Sequence, residues 1–212
     1  MQTMSTAPAR PRLVTDRRQR ILDAAGPVFA EHGYERSSVD AIAKAAQVSK
    51  PTIYSHFGGK EQLFRIWVGE VARQTTEDAV RAVQAIDVTP KKWRASLVGA
   101  TTDLVVAWHT ECAASLARIA NAEVGRDPEI FTVLRESAHD PVIEALAGRL
   151  AMLGNAGHLT VPDPVLAAKQ LIALARTELD DISEFGTKPA PVTVVRRVVK
   201  VGVETFLLAY AA

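Results

Sequence analysis

Apolar residues recur at helical spacing along most of the chain. Between residues 39 and 46, for example, Val39, Ile42, Ala43 and Ala46 fall on one face of a helix. Ala43 and Ala46 are also small, as a helix requires where a second helix crosses close to it. No segment has a convincing strand pattern. The spacing therefore predicts an all-α chain of about ten helices.

Beyond residue 85, helix starts are marked by an N-capping residue followed by proline at the first helical position. These dipeptides are Thr89-Pro90, Asp127-Pro128, Asp140-Pro141 and Asp163-Pro164. Glycines at 33, 125 and 186 stand where helices are expected to end. The first predicted helix runs from Thr15 or Asp16 to Gly33, and two short helices follow within residues 34–60. The remaining predicted helices are Lys60–Ala85, Pro90–Thr110, Glu111–Val124, Pro128–Ala138, Pro141–Leu153, Pro164–Phe185 and Val192–Tyr210.

The two short helices are joined by a tight turn. Ser37 or Ser38 is placed to cap the first helix, Gln47 begins the turn, and Ser49 caps the second helix. The N-terminal half of the second helix in such a pair is the part that enters a DNA major groove. An ordinary helical hairpin with a polar surface would also expose a lysine and a tyrosine, so composition alone leaves both interpretations open. The outward side chains of the second helix are Lys50, Thr52, Tyr54, Ser55 and His56.

The net charge of +1 conceals an uneven distribution. Residues 1–60 contain 9 Lys and Arg against 5 Asp and Glu, a net charge of +4. Residues 61–212 contain 16 against 19, a net charge of −3. A DNA-binding surface has to be positive, and the positive part is the part with the two short helices. A difference of this size also arises by chance, so it supports DNA binding only together with the motif.

The segment GYERSSVDAIAKAAQVSKPTIYSHFGGKEQLF resembles the DNA-binding domain of the TetR family of bacterial transcriptional regulators. The likeness extends over residues 17–67. The order of its parts is specific: a first helix with an aromatic end, a Gly-Tyr pair, a V-x-x-I-A core, then V-S-K-P-T-I-Y-x-H-F and K-E-x-L-F. One residue departs from the family, which usually has glycine where this chain has Gln47. A left-handed backbone there would cost a non-glycine residue about 1 kcal/mol, so we expect local strain or a changed turn.

The resemblance implies which residues contact DNA. Lys50 and Thr52 would reach base edges or nearby phosphates. Ser38 and Ser49 would anchor backbone contacts. Phosphates would be held by Tyr54, His56 and Lys60.

The resemblance also implies a division into domains. Residues 16–60 would form a three-helix helix-turn-helix DNA-binding domain, and residues 61–212 a helical ligand-binding and dimerisation domain. The helix Lys60–Ala85 would connect the two. Residues 1–15 are expected to be a disordered basic arm. Its arginines could contact the minor groove or phosphates, or be part of a solvated tail. The tail is favoured for Arg10 and Arg12, and a phosphate contact for Arg17 and Arg18.

The last long helix is apolar over most of its surface. Only Arg196, Lys200 and Glu204 recur every four residues between 192 and 208 as a polar stripe. Such a helix must be covered on more than one side, and Pro164–Phe185 is similar. In the resembling family, two such helices from each chain form a four-helix dimer interface, and a dimer also suits a palindromic DNA site. The predicted interface residues are Leu171, Leu174, Leu179, Val195, Val198 and Phe206.

No constellation of catalytic residues is evident. His109 and Cys112 have a spacing that could hold a metal, but one histidine and one cysteine are too few for a closed site. We therefore expect no cofactor, no metal and no enzyme activity. As the single cysteine, Cys112 excludes an intramolecular disulfide and suits a reducing cytoplasm. No stretch approaches the ~20 apolar residues of a membrane helix, and the N-terminus has no apolar secretory region.

Pocket residues are harder to predict. Trp108, His109, Cys112 and Asn121 are expected to line a pocket, because the helices that carry them are apolar and central in order. Residues 115–131 also resemble the regulatory domain of one TetR/AcrR subgroup, which does not identify a ligand.

The favoured function is a homodimeric, cytoplasmic repressor. It would bind a palindromic operator in double-stranded DNA and be released by an unknown small molecule, apolar or aromatic. One alternative is a DNA-binding dimer of the same fold that senses no ligand and instead activates transcription or binds a protein partner. A further alternative, an all-helical enzyme, would depend on His109 or Glu111.

Overall fold

The computed structural model describes residues 11–212, with side chains from Arg17 onward. The all-α prediction is confirmed: the described residues contain an isolated antiparallel bridge between Leu159 and Ala211 but no strand. The helices are α1 (Pro11–Arg36), α2 (Val39–Ala46), α3 (Lys50–Phe57), α4 (Lys60–Gln84), α5 (Trp93–Ala107), α6 (Glu111–Val124), α7 (Glu129–Leu134), α8 (Asp140–Asn155), α9 (Pro164–Arg176), α10 (Leu179–Ile182) and α11 (Val192–Tyr210). A π-helical turn, Arg135–His139, joins α7 to α8.

The chain divides into two compact units, the first ending at Trp67 and the second running over Val68–Ala212. The division lies within α4, whereas the sequence-based domain boundary stands at residues 60 and 61. That domain assignment stays a prediction.

The first helix begins earlier than expected. It starts at Pro11 rather than at Thr15 or Asp16, so part of the predicted disordered arm is helical. Proline is well suited to a first helical position because it has no N–H to leave unpaired. At the predicted end the helix is kinked rather than finished, since Gly33 leaves the helical region with a φ of 70° and α1 ends at Arg36. Arg10 and the rest of residues 1–10 lie outside the described residues.

Aromatic rings hold the first unit together. The ring of Phe29 lies 4.9 Å from that of Phe64 and 5.3 Å from that of Trp67, between ring centroids. Gly26 lets Trp67 approach α1, because a Cβ at this glycine would lie 3.2 Å from the indole nitrogen. This packing fixes α1 against the start of α4, and α2 packs on α1.

The core of the second unit is built mainly by α5, α8, α9 and α11. Two of these helices, α9 and α11, run antiparallel, because Tyr210 contacts Gln170 whereas Arg197 pairs with Glu178. Their backbones meet at Gly202. A Cβ at this position would lie 2.3 Å from the carbonyl oxygen of Leu174, so the crossing requires glycine.

The four proline dipeptides do not all start helices. Asp163 caps α9 as predicted, accepting a hydrogen bond from the Leu166 N–H at 2.9 Å. After Thr89-Pro90 the chain first makes a turn and α5 begins at residue 93, whereas α7 begins at Glu129, directly after Asp127-Pro128. At Asp140-Pro141 the α-helix α8 begins as predicted, but the residues before it already form a π-helical turn. Pro141 lacks an N–H and crowds the preceding turn, and the π-helical turn before it relieves this conflict.

The predicted helix Pro164–Phe185 is also interrupted. It ends at Arg176, where the Thr177 hydroxyl donates to the carbonyls of Ala173 and Leu174 and competes with the helical pattern. After α10, three consecutive residues adopt positive φ: Glu184 at 48°, Phe185 at 58° and Gly186 at 78°.

Candidate functional site

The turn between α2 and α3 is held by two serine caps. The hydroxyl of Ser38 accepts from the Ala41 N–H at 3.1 Å, and that of Ser49 accepts from the Thr52 N–H at 3.3 Å. Gln47 is left-handed, with φ 55° and ψ 44°, and its N–H bonds back to carbonyls of α2. The turn therefore keeps the conformation that glycine would favour, and the departure from the family is local strain rather than a changed turn.

The outer side of α3 carries the polar groups in an open arrangement. Lys50, Tyr54 and Ser55 are exposed, whereas Thr52 and His56 are half-buried. The hydroxyl of Ser55 donates to the Thr52 carbonyl at 2.9 Å, so its hydrogen is already used in a bond within the helix. Lys50 and Tyr54 are thus the α3 side chains best placed to bind a phosphate.

Lys50 is paired within the unit. Its Nζ donates to an Asp40 carboxylate oxygen at 3.0 Å, and both side chains are exposed. This hydrogen bond and the charge of Asp40 raise the pKa of Lys50. An incoming phosphate would have to replace Asp40 as the acceptor.

Lys60 has a different role from the predicted one. Its Nζ donates to the carbonyls of Tyr34 at 2.7 Å, Ser37 at 3.0 Å and Glu35 at 3.3 Å. Nζ also lies 4.3 Å from the centroid of the Tyr34 ring. All three ammonium hydrogens are therefore used where α1 ends, as suits a cation at a helix C-terminus. The structure does not support the assignment of Lys60 to phosphates.

Arginines at the start of α1 add positive charge. Arg17 and Arg18 are exposed, and the guanidinium carbon of Arg18 lies 5.5 Å from the centroid of the Phe57 ring at the end of α3. The structure thus brings one of the two predicted arginines to the helix that carries Lys50 and Tyr54.

The second unit contains a cavity of about 540 Å³. Helices α4, α6 and α9, the π-helical turn and the segment after α10 contribute to its wall. Three aromatic side chains are among the lining residues. The lining is Ala72, Thr75, Thr76, Trp108, Ala113, Leu116, Ala117, Asn121, Phe131, Leu134, Arg135, Ala138, His139, Ile172, Arg176, Phe185 and Gly186.

The charged side chains of the cavity wall differ in their hydrogen-bond partners. Arg135 donates to Asp140 at 2.7 Å, and His139 lies 3.4 Å from the same carboxylate. Arg176 donates through Nη2 to Asp180 at 2.8 Å, and its guanidinium carbon lies 5.5 Å from the centroid of the Trp108 ring. The Nε of Arg176 is buried and has no acceptor within the described part of the chain.

Comparison with known families decides the assignment. Residues 21–65 match the model for bacterial regulatory proteins of the tetR family. Residues 95–212, more than half of the chain, match the model for the C-terminal domain of AefR-like transcriptional repressors. The chain belongs to the TetR family. The relatives that it matches are described as transcriptional regulators or repressors.

Individual relatives of this TetR-family regulator agree with that assignment. The repressor AcnR of Corynebacterium glutamicum is 43% identical over 63 residues, which cover 30% of this chain and 34% of AcnR, so the match spans about a third of that relative. A putative TetR-family regulator of Mesorhizobium loti has a TM-score of 0.84 at 25% identity, covering 93% of this chain and 98% of its own. The flavonoid-responsive regulator FrrA has a TM-score of 0.73 at 29% identity, with the same coverages.

Two of the four predicted pocket residues of this TetR-family regulator line the cavity, namely Trp108 and Asn121. Cys112 is exposed near the start of α6 and is not among the lining residues. His109 is buried, and its Nδ1 lies 2.7 Å from the Val105 carbonyl. Burial lowers the pKa of His109 and keeps its ring neutral, and its Nε2 has no partner among the described residues. His109 is thus a core residue outside this lining, because its ring turns towards α5.

The residues predicted for the dimer interface pack inside the subunit itself. Leu174 is half-buried. The other five are buried in the core that α9 and α11 share with α5 and α8: Leu171, Leu179, Val195, Val198 and Phe206. The prediction that these five residues form the dimer interface is corrected, because they are buried within one subunit. The large apolar residues exposed on the two helices are instead Val165, Leu166, Val192, Val201 and Leu208.

Arg176 and Phe185 are among the cavity residues that sequence analysis missed. Both lie in the predicted helix Pro164–Phe185, which the apolar pattern assigned to the dimer interface. An arginine in an otherwise apolar helix is the signal that could have indicated Arg176. No comparable signal exists for Phe185, because its position depends on the backbone turn after α10.

Two classes of site are not found in the described part of this TetR-family chain. In that part, no three His, Cys, Asp or Glu side chains come together as they would to hold a metal ion. None of the helices in residues 11–212 combines the length and apolar character required to cross a membrane.

Proposed function

We propose that this TetR-family regulator is a homodimeric repressor that binds a palindromic operator and leaves it when a small molecule occupies the cavity. The cavity carries the proposal, since a second unit filled with side chains would have favoured a regulator without a ligand. The description of FrrA as flavonoid-responsive and of AcnR as a repressor supports it.

The position of the cavity supplies a route from ligand to DNA. Helix α4 begins at Lys60 in the first unit, and its residues Ala72, Thr75 and Thr76 line the cavity. The π-helical turn, which also lines the cavity, packs on α4 so closely that a Cβ at Gly69 would lie 3.0 Å from the Ser137 hydroxyl. A ligand that moves this wall acts on α4. It releases DNA only by binding the released conformation more tightly.

The proposed DNA contacts come from α1, from α3 and from the caps of α2 and α3. Lys50, Thr52, Tyr54 and His56 come from α3, with Ser38 and Ser49 at the helix caps and Arg17 and Arg18 on α1. Lys60 is omitted because its donors are used within the unit.

Titration of DNA from upstream of the regulator's own gene tests the proposal. A discrete complex at a palindrome is expected, and its affinity should fall linearly with the logarithm of salt concentration. Diffuse binding that does not protect a palindrome would contradict it.

Tyr54→Phe tests the phosphate contact. Loss of one hydrogen bond to a charged oxygen should weaken operator binding by about 1–3 kcal/mol, measured by fluorescence anisotropy. Ser55→Ala is the matched control, because its hydroxyl already donates to Thr52 and its loss should change affinity little. Equal affinities for the two variants would remove Tyr54 from the contact surface.

The proposed dimer surface is the exposed side of α9 and α11. Leu166 on α9 and Val201 and Leu208 on α11 are 48%, 55% and 90% exposed. Val201 and Leu208 are separated by about two helical turns, so they lie on the same side of α11. Large exposed apolar side chains on one face are typical of a protein–protein contact. A second copy of the chain would cover them.

A double substitution, Val201→Glu with Leu208→Glu, is expected to convert the dimer to a monomer in sedimentation experiments, because two carboxylates would be desolvated at the interface. Met152→Glu on α8 is the control, since Met152 is 45% exposed but lies on another helix. A dimer that persists in the double variant would place the interface elsewhere.

A further inference from the structure

An ion pair links the beginnings of α2 and α3. Asp40 is the second residue of α2, and Lys50 is the first residue of α3. Their side chains meet across the turn, where Lys50 Nζ lies 3.0 Å from a carboxylate oxygen of Asp40. Asp40 pairs with Lys50 although Lys44 stands four residues further along α2, at the spacing that usually gives ion pairs on a helix. The fold of the turn therefore brings this carboxylate to this ammonium group.

Lys50 stands where a helix disfavours a cation. The N-terminus of a helix carries partial positive charge, which suits Asp40 in the first turn of α2 and opposes Lys50 at the start of α3. The carboxylate of Asp40 offsets this charge in the free protein. In the proposed complex a DNA phosphate would do the same, because it also brings negative charge to the start of α3. Carboxylate and phosphate are thus alternative partners of one ammonium group.

The exposure of the pair makes an exchange of partners feasible. The Lys50 side chain is 47% exposed and the Asp40 side chain 71%. An exposed ion pair contributes little free energy, because water and salt compete for both partners, so a phosphate can replace the carboxylate. Among the described residues, Asp40 accepts a side-chain hydrogen bond from Lys50 alone. When a phosphate takes Lys50, the stabilisation of the pair is lost, and this loss is subtracted from the affinity for DNA.

We propose that Asp40 competes with DNA phosphate for Lys50 and thereby holds the affinity for DNA below the value that the other contacts of the first unit would give. Asp40 is a positioning residue, because it acts through Lys50. The inference rests on the proposed phosphate contact of Lys50, and it adds a residue that limits the affinity. A repressor limited in this way is released by a smaller difference in ligand affinity between its two conformations.

Asp40→Asn removes the charge and keeps the shape of the side chain. Binding is measured by fluorescence anisotropy on the full-length protein with a labelled duplex of scrambled sequence, since a phosphate contact does not require an operator. We expect the affinity to rise by about two- to fivefold for each bound subunit, as loss of one exposed ion pair allows. A fall in affinity would overturn the inference, because Asp40 would then orient Lys50 towards DNA.

Asp23→Asn is the matched control. Asp23 on α1 is also an exposed carboxylate of the first unit, but it accepts from the Gln19 amide at 2.9 Å rather than from a cation. Its replacement changes the net charge by the same amount and should leave the affinity nearly unaltered. Equal gains in the two variants would overturn the inference, because net charge alone would then explain them.

Two readouts separate competition at Lys50 from a structural effect of Asp40. The slope of log affinity against log salt concentration should become steeper in Asp40→Asn, by at most about one for each bound subunit, because Lys50 is no longer neutralised before it meets a phosphate. Added to Lys50→Met, Asp40→Asn should bring no gain, because the group through which Asp40 acts is absent. An unchanged slope, or a gain that persists with Lys50→Met, would overturn the inference.

Two further variants keep the test decisive. Asp40→Glu retains the charge, so its affinity should stay near that of the unaltered protein, and a gain as large as that of Asp40→Asn would contradict competition. If Asp40→Asn does not fold, as judged by circular dichroism, Asp40→Ala takes its place with the same expected gain. The absence of a gain in folded Asp40→Ala would equally overturn the inference.

The outcome is separable from that for the proposed function. The scrambled duplex contains no operator, so the exchange at Lys50 is tested even if no palindromic site is found. If Asp40→Asn binds no more tightly while the unaltered protein protects a palindrome, this inference fails and the proposed repressor stands.

Discussion

Single side chains in the first unit set the end of one helix and the beginning of another. Lys60, the first residue of α4, gathers three carbonyls from residues 34–37 around one ammonium group. The last carbonyls of a helix have no hydrogen-bond donors within the helix. A cation placed there donates to these carbonyls and also interacts favourably with the helix dipole. Lys60 thus joins α1 to α4.

Replacing Lys60 should therefore affect stability rather than DNA contacts. Lys60→Met is expected to lower the free energy of unfolding by about 1–3 kcal/mol, because three charge-assisted hydrogen bonds are lost. Urea unfolding measures this, with Lys44→Met on the exposed side of α2 as the control. If Lys60 instead contacted a phosphate, its replacement would reduce the slope of log affinity against log salt concentration by about one. Such a change without a loss of stability would contradict the structural role.

At this scale the sequence predicts what is local. The capping serines lie three residues from the N–H groups that they accept, so their spacing was sufficient to identify them. The bonds of Lys60 span 23 to 26 residues and depend on how α1 and α4 pack, which no local pattern records. A resemblance alone therefore assigned Lys60 to DNA.

Among the helices, α9 and α11 cross with their backbones in close contact. The two backbones meet at Gly202, where even a methyl group would overlap the Leu174 carbonyl. Because main-chain atoms cannot move aside as a flexible side chain can, the helices would have to separate along their length.

Gly202→Ala should lower the free energy of unfolding by about 1–3 kcal/mol, as overpacking of a tight core does. Gly148→Ala on α8 is the control, since no atom lies within 4 Å of a Cβ there. That substitution should raise stability by up to about 1 kcal/mol through helix propensity. Thermal unfolding of both variants makes the comparison, and equal effects would mean that α9 and α11 are not tightly packed at Gly202.

Helix positions were predictable from spacing, but the sides that face the core were not. Helix α11 is apolar around most of its circumference, so its sequence cannot distinguish the side that packs in the subunit from the side left exposed. Val195 and Val198 were predicted for the interface and are buried, whereas Val201 is exposed. The π-helical turn was missed because aspartate followed by proline normally begins a helix.

For the whole molecule, one buried titratable group gives stability a pH dependence. His109 is 3% exposed, and burial lowers its pKa below the ordinary value of 6.5. The unfolded chain binds a proton as the pH falls through about 6.5, whereas the folded protein does so only at lower pH. Folding stability should therefore decrease as the pH falls from 6.5 to the lowered pKa and then level off with respect to this group.

The measurement is the urea midpoint at pH 7.5 and at pH 5.5. His109→Asn serves as the comparison, because its amide nitrogen takes the place of Nδ1 and does not titrate. The unaltered protein should lose more stability between the two pH values than the variant does. An equal loss in both would mean that His109 does not contribute to the pH dependence.

The segment around Phe185 affects how fast a small molecule enters and leaves. Phe185 lines the cavity and is nevertheless 77% exposed, in a turn where three successive residues have positive φ. Because a lining residue is this exposed, the cavity is open to solvent on this side, and entry of a ligand needs no separate opening step. Association rates should then be similar for related compounds, and differences in affinity should appear as differences in residence time.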